Sequence, residues 1–296
     1  MWGILEGPWL SLSRVESMGP ERDSLTELFE SKSSCVVAFI NRVKRLPQGS
    51  PPIFPDICGT GFLIDSDGVV VTNRHVVDAI ESFGVNPKTG GHVAGAVLLF
   101  VEKHKGCQLL NVDVVRTSFV ESFSSSEEWY GQPVPDIGFV QLKLRDTSFL
   151  ELATEDFAIW PGMQISTIGY PMGTFPLTLH GKVSQVSPFI RHGIVSSVYP
   201  FPTANPHGFT IDIMQQGGSS GSPIFGPDNK RVIGMVWGGV PATNISLAES
   251  AHIIDGRSKT CRRASHWLTL LSDPGRTQEA RPDACQLEQF DVGIMA

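Results

Sequence analysis

Residues 58–77 read CGTGFLIDSDGVVVTNRHVV. Two apolar runs, Phe62-Leu63-Ile64 and Val69-Val70-Val71, flank the turn-forming Asp65–Gly68 (DSDG), so the stretch predicts a β-hairpin with His75 just beyond its second strand. The same texture extends in both directions. Cys35–Ile40 is a compact apolar run and predicts a buried strand, and Pro47–Asp56 is a proline-rich loop. Ala96–Val101, Leu109–Arg116 and Ile137–Leu142 predict further strands, interrupted by the polar, Ser-rich stretch Thr117–Pro135. Phe149–Pro161 reads as a connection between two halves. The second half repeats the pattern at Gln164–Gly169, Leu177–Val186, Gly193–Val198, Phe209–Ile213 and Val232–Trp237. Short strands at this rhythm, in a chain with 30 glycines and 21 prolines, predict an all-β barrel or sandwich rather than a parallel α/β sheet. Helices are expected at Asp23–Ser31, where Leu25, Leu28 and Phe29 share a face, and at Arg262–Leu271. Beyond Asp273 the chain is polar.

The composition bounds the function. Thirty acidic against 23 basic residues give a net charge of −7, which argues against a general nucleic-acid binder. The basic clusters Arg42/Lys44/Arg45 and Arg257/Lys259/Arg262/Arg263 are short and read as solvated faces. Cys35, Cys58, Cys107, Cys261 and Cys285 are odd in number and widely spaced, so no disulfide framework is expected. The opening MWGILEGPWLSLSRVESM lacks the basic start and unbroken apolar core of a secretory signal, and no stretch has the length of a membrane span. An intracellular, cytoplasmic protein without membrane partners is the expectation, with a homo-oligomer left open. His104 and Cys107 lack a second ligand pair, and Gly59-Thr60-Gly61 lacks the Lys-Ser/Thr ending of a phosphate loop, so neither metal nor cofactor is expected.

Three segments carry chemistry: the His75 stretch, Asp136–Leu142 (DIGFVQL) and Gly217–Pro223 (GGSSGSP). A serine hydroxyl attacks a carbonyl only when a base takes its proton, and histidine titrates near neutrality. A carboxylate must hold the imidazole in the right tautomer, and a developing oxyanion needs backbone N–H donors, which glycine-rich turns can aim inward. Ser220, His75, Asp136 and the turn at Gly218 supply these parts. The order His, Asp, Ser is that of chymotrypsin-type folds, whereas subtilisins and α/β-hydrolases use other orders. Ser220, rather than Ser219, occupies the third position of a G-x-S-G frame.

With these motifs in view, the chain resembles the trypsin superfamily, and within it the HtrA/DegP-like protease domain. TGFLIDSDGVVVTNRHVV resembles the histidine motif, DIGFVQL the aspartate motif and GSSGSP the nucleophile turn. IGYPMG (168–173), GIVSSV (193–198) and IGMVWG (233–238) resemble the turn and strands that accompany them, all in the family's order. The resemblance implies a double antiparallel β-barrel with a C-terminal helix and a serine endopeptidase acting on protein or peptide substrates. His75 would be the base, Asp136 the orienting carboxylate and Ser220 the nucleophile. Gly218 and Ser220 would supply the oxyanion N–H groups. Trp237 and Gly238 would form the edge that pairs with extended substrate, and Met214 the floor of an apolar primary specificity pocket. The implied organisation is an N-terminal extension over 1–34, a protease domain over 35–272 and a tail over 273–296. Its barrels would span about 35–150 and about 160–257, and no room remains for a PDZ domain.

Departures from the pattern also carry meaning. Ser222 stands where the nucleophile turn usually has a second glycine, and Ser219 where secreted trypsins have the aspartate that pairs with a newly cut N-terminus. Cys58 stands at one half of the disulfide beside the histidine in secreted trypsins, and the partner position is Val76. The resemblance therefore implies a reduced setting without zymogen activation. The alternative from another class is a catalytically silent double barrel that binds peptides or proteins. An esterase is disfavoured, because Gly218–Ser222 lacks the last glycine of the G-x-S-x-G elbow.

Overall fold

The computed structural model describes residues 24–41, 57–87, 91–102, 106–120, 135–171, 188–203, 205–214, 216–256 and 292–294. The chain folds as two six-stranded antiparallel β-barrels. The first comprises β1 (Val36–Asn41), β2 (Ile57–Leu63), β3 (Val69–Thr72), β4 (Ala94–Glu102), β5 (Gly106–Val120) and β6 (Gly138–Leu142). Its order β5-β4-β1-β2-β3-β6 closes where β6 pairs back onto β5. After β7 (Glu151–Leu152), which adds in parallel to the strand at Arg231–Gly239, the second barrel comprises six strands. They are β8 (Gln164–Gly169), β9 (Phe189–Tyr199), β10 (Gly208–Ile211), β11 (Pro223–Phe225), β12 (Arg231–Gly239) and β13 (Ser246–Ser250). Its order β11-β8-β9-β10-β13-β12 closes through β11 and β12. Closure satisfies strand edges that an open sheet would leave exposed. A short strand β14 (Val292–Ile294) pairs with β5.

The quoted hairpin forms as expected. The Asp65 carboxylate accepts the N–H groups of Asp67 and Val69 at 3.0 Å each, and Gly68 takes φ +85° to complete the turn. Helix α1 (Ser24–Lys32) turns Leu28 into the first core, with Phe29 packed at its margin. A second helix, α2 (Arg74–Ser82), follows β3 directly. The helix expected at Arg262–Leu271 and the strand expected at Leu177–Val186 lie outside the described residues. A short helix follows β13 at 251–256 and buries Ile254 in the first core.

Phe39, Phe62, Val70, Val71 and Val76 are fully buried in the first core, and Val195, Phe209, Ile224 and Ile233 in the second. Each such side chain contributes roughly 1.5–3 kcal/mol of burial. The first core continues across the seam through Ile168, Tyr170, Phe225 and Met235 of the second barrel. The seam is therefore packed, and groups on its rim are held by both barrels at once.

Candidate active site

His75 lies in the first turn of α2. Asn73 keeps an extended backbone (φ −83°, ψ 154°) and its carbonyl accepts the N–H groups of Val76 and Val77. Val76, Val77 and Ile80 fall on one helical face and are buried, which leaves His75 facing outward with its side chain 49% exposed. Asp136 sits just before β6. Its carboxylate takes two bonds from the same residue: the backbone N–H of His75 reaches Oδ1 at 3.1 Å, and Nδ1 of the ring lies 2.6 Å from Oδ2. With the ring proton on Nδ1, the imidazole is oriented and Nε2 is left as the acceptor. Asn73, itself fully buried, donates from Nδ2 to the Asp136 carbonyl at 2.9 Å and so fixes the segment that carries the carboxylate.

Ser220 arrives on a loop built of two overlapping turns. Ser219 N–H reaches the Gln216 carbonyl, and Ser222 N–H reaches the Ser219 carbonyl, each at 3.0 Å. The third residues of these turns are Gly218 (φ +92°) and Gly221 (φ +88°). A positive φ at that position and a negative one before it define type II turns, which explains the spacing of the glycines in G-x-S-G. Any Cβ on Gly221 would overlap the Thr60 carbonyl.

Thr60, at the centre of β2, joins this loop to the first barrel. Its N–H donates to the Ser220 carbonyl at 2.8 Å and its hydroxyl to the Gly218 carbonyl at 2.6 Å. Its own carbonyl accepts the hydroxyl of Thr72, three residues before His75, at 2.6 Å. Two buried threonines thus tie the strand leading to His75 to the turn carrying Ser220. With its carbonyl held by Thr60, Gly218 has an N–H that donates to no group among the described residues.

Ser222 is accommodated by a matching gap. Its hydroxyl donates to the Ser219 carbonyl at 2.6 Å, and it occupies the space a Cβ on Gly169 would require. The serine in place of glycine therefore adds a bond within the turn. Gly169→Ala is expected to destabilise the protein by about 1–3 kcal/mol through overpacking, and Ser222→Gly in the same chain to recover most of the loss. Denaturant melts of the single and double variants measure this, and additive effects would contradict it.

A pocket of about 300 Å³ opens beside Ser220, lined by Met214, Gln216, Gly238, Val240 and Ile245 among others. Its side chains are apolar or neutral. Met214 is 53% exposed and forms part of its wall rather than a buried floor. Trp237 and Gly238 lie on β12 where the register with β13 shifts. A Cβ on Gly238 would meet only Leu247, so this stretch of strand is open on the pocket side. A larger hollow, about 1180 Å³, lies on the first barrel between the Asp65–Gly68 turn and Arg145, and none of the expected site residues lines it. Among the described residues no three His, Cys, Asp or Glu side chains cluster as metal ligands.

Glu249, on β13, is a residue the sequence reading did not single out. It is 4% exposed, and its carboxyl reaches across to Asp136. Burial pushes its pKa up to about 7; the Asp136 charge pushes the same way, and a hydrogen bond with the Asp136 backbone opposes both. Because the folded value lies above the unfolded one, the neutral carboxyl's contribution is complete below about pH 4.5. It is then lost as pH rises toward and through about 7, on the order of 3 kcal/mol in all. Glu249→Gln is accordingly expected to leave stability at pH 4.5 nearly unchanged and to raise it at pH 8 by about 1–3 kcal/mol. Urea melts across this range are the measurement, and a parallel shift at both pH values would count against it.

Cys58 and Cys35 are free thiols. Cys58 donates to the Phe39 carbonyl at 3.5 Å, and burial raises its pKa to about 12, which makes it a packing residue.

A double barrel with a His–Asp pair and a glycine-framed serine at its seam defines the architecture of a trypsin-like peptidase. The trypsin-like peptidase domain family matches residues 59–235, more than half of the chain and inclusive of His75, Asp136 and Ser220, and the chain belongs to that family. It is also similar to the pro-apoptotic serine protease NMA111 of Lodderomyces elongisporus, at 27% identity over 188 residues. That match covers 62% of this chain but 16% of the relative, so the chain corresponds to a small part of that protein.

Proposed function

We propose that the protein is a serine endopeptidase in which Ser220 is the nucleophile, His75 the general base and Asp136 the orienting carboxylate. The observation that carries this reading is the two-point grip of Asp136 on His75, at 3.1 and 2.6 Å, on the same seam to which Thr60 binds the Ser220 turn. In the proposed reaction Ser220 Oγ attacks the scissile carbonyl as His75 Nε2 takes its proton. The charge on the tetrahedral intermediate is received by the N–H groups of Gly218 and Ser220. His75 then protonates the leaving amine, and water enters by the same route to release the acyl group. The apolar and neutral lining of the pocket favours an uncharged, apolar P1 side chain, with the backbone of Trp237 and Gly238 pairing to extended substrate.

A fluorophosphonate probe applied to the protein under reducing conditions tests the reading. Covalent modification mapped to Ser220, together with cleavage of an unstructured protein, is the expected result. A protein that neither reacts nor cleaves, yet binds peptides, is the silent double barrel instead. We further propose an intracellular location, in keeping with the thiol of Cys58 and the valine at its disulfide-partner position. Fractionation of cells expressing the tagged chain decides that point.

A further inference from the structure

The loop that carries Ser220 is rich in glycine, and its central peptide has an alternative. In a type I turn the Gly217–Gly218 peptide plane would be rotated, and the Gly218 N–H would point away from its present side. Thr60 holds this loop from the first barrel. From the second barrel it is held by Arg191 on β9. One guanidinium nitrogen, Nη1, donates to the Met214 carbonyl, and Nη2 donates to the Ser219 hydroxyl at 3.3 Å. These two acceptors bracket the Gln216–Ser219 turn. Arg191 meets no carboxylate among the described residues, and burial lowers its pKa. A partly desolvated cation without a counter-ion is costly unless its donors are satisfied, and the loop supplies the acceptors. The planar fork can span both acceptors, which an ammonium on a flexible stem cannot do at once.

We propose that Arg191 is a positioning residue for the proposed hydrolysis, holding the Gln216–Ser219 turn in the form that presents the Gly218 N–H to the reacting oxygen. The proposal rests on the peptidase reading above. It predicts a larger effect on turnover than on substrate capture, because Arg191 meets the pocket wall only through the Met214 carbonyl, while the walls at Gly238, Val240 and Ile245 belong to elements that it does not touch.

The test is steady-state kinetics on a peptide with an apolar P1 residue, using Arg191→Met, Arg191→Lys, Ser219→Ala and the double variant Arg191→Met/Ser219→Ala. Affinity for the same peptide is measured in a Ser220→Ala background, and thermal melts accompany each variant. Arg191→Met is expected to lower kcat about 100-fold, the scale of losing one oxyanion donor. KM and peptide affinity should stay within about threefold. Arg191→Lys should recover part of the loss. Ser219→Ala should cost about tenfold in kcat, and the double variant little more than Arg191→Met alone, since both act through one contact. If Arg191→Met does not fold, Arg191→Lys and Ser219→Ala carry the test: both must lower kcat at unchanged KM. Folded variants with kcat within about threefold of wild type, or with equal losses in KM and kcat, would overturn the proposal. A wild type that neither labels nor cleaves would remove the peptidase reading and this proposal together. An active wild type with indifferent Arg191 variants would remove this proposal alone.

Discussion

Ser220→Ala is expected to lower turnover of an unstructured protein substrate by about six orders of magnitude, the loss typical when a triad nucleophile is removed. Folding and peptide binding should remain. The reason lies in how residue 220 is anchored. It is the backbone carbonyl of Ser220 that accepts from Thr60, and the turn is closed by the N–H groups of Ser219 and Ser222, so none of these bonds depends on the side chain. The adjacent Ser219 makes a direct control. It is fully buried, its hydroxyl is engaged by Arg191, and it does not line the pocket, whereas Ser220 does. Ser219→Ala should therefore reduce turnover about tenfold and leave the fluorophosphonate adduct on Ser220. Peptide hydrolysis, adduct mapping and melts on the same preparations decide the matter. Wild-type activity in Ser220→Ala with loss in Ser219→Ala would move the nucleophile to residue 219.

What could be read from the sequence follows from how local its causes are. The Asp65–Gly68 hairpin was legible because an aspartate, a positive-φ glycine and two apolar runs specify it within a dozen residues. The pairing of His75 with Asp136 was legible because each lies in a short motif. Helix α2 was not anticipated: Val76-Val77 reads as strand, and only the recurrence of Ile80 and the extended Asn73 before it point to a helix. Strand β13, SLAES, was missed for a different reason. Ser246, Glu249 and Ser250 are buried in it although they are polar. The serine hydroxyls are satisfied by the carbonyls of Ile213 and Pro206, far away in sequence. The same holds for the supports of the site. Thr60 and Gly218 are 158 residues apart, and Arg191 becomes meaningful only when β9 is placed under the loop. No local pattern encodes such pairings.

These supports also explain why the seam tolerates departures from the family's usual residues. Ser222 could replace glycine because Gly169 leaves space for its hydroxyl. Val76 could stand opposite Cys58 because both are packed into the first barrel, where α2 is held by Val76, Val77 and Ile80 without a covalent link. The site is fixed by hydrogen bonds from buried residues of both barrels, and substitutions at this seam should be read in pairs.

Asp136→Asn is expected to lower turnover by about four orders of magnitude with little change in stability. The substitution keeps the shape and both contacts but reverses the polarity of one. The asparagine carbonyl can still accept the His75 backbone N–H in place of Oδ1. Its amide, however, becomes a donor where Oδ2 was an acceptor, opposite His75 Nδ1. The ring must then accept at Nδ1 and carry its proton on Nε2, the nitrogen that takes the proton of Ser220 in the proposed mechanism. The imidazolium formed during attack also loses the negative charge beside it. Substrate affinity should be unaffected, so the loss falls on kcat at nearly constant KM. A second consequence is independent of catalysis. Without the Asp136 charge, the pKa of Glu249 should fall from about 7, since that charge is one of the causes that raise it. The loss of stability between pH 5 and 8 should shrink accordingly. Full activity in a folded Asp136→Asn variant would remove Asp136 from the mechanism. An unchanged pH dependence of stability would show instead that Glu249 does not sense Asp136.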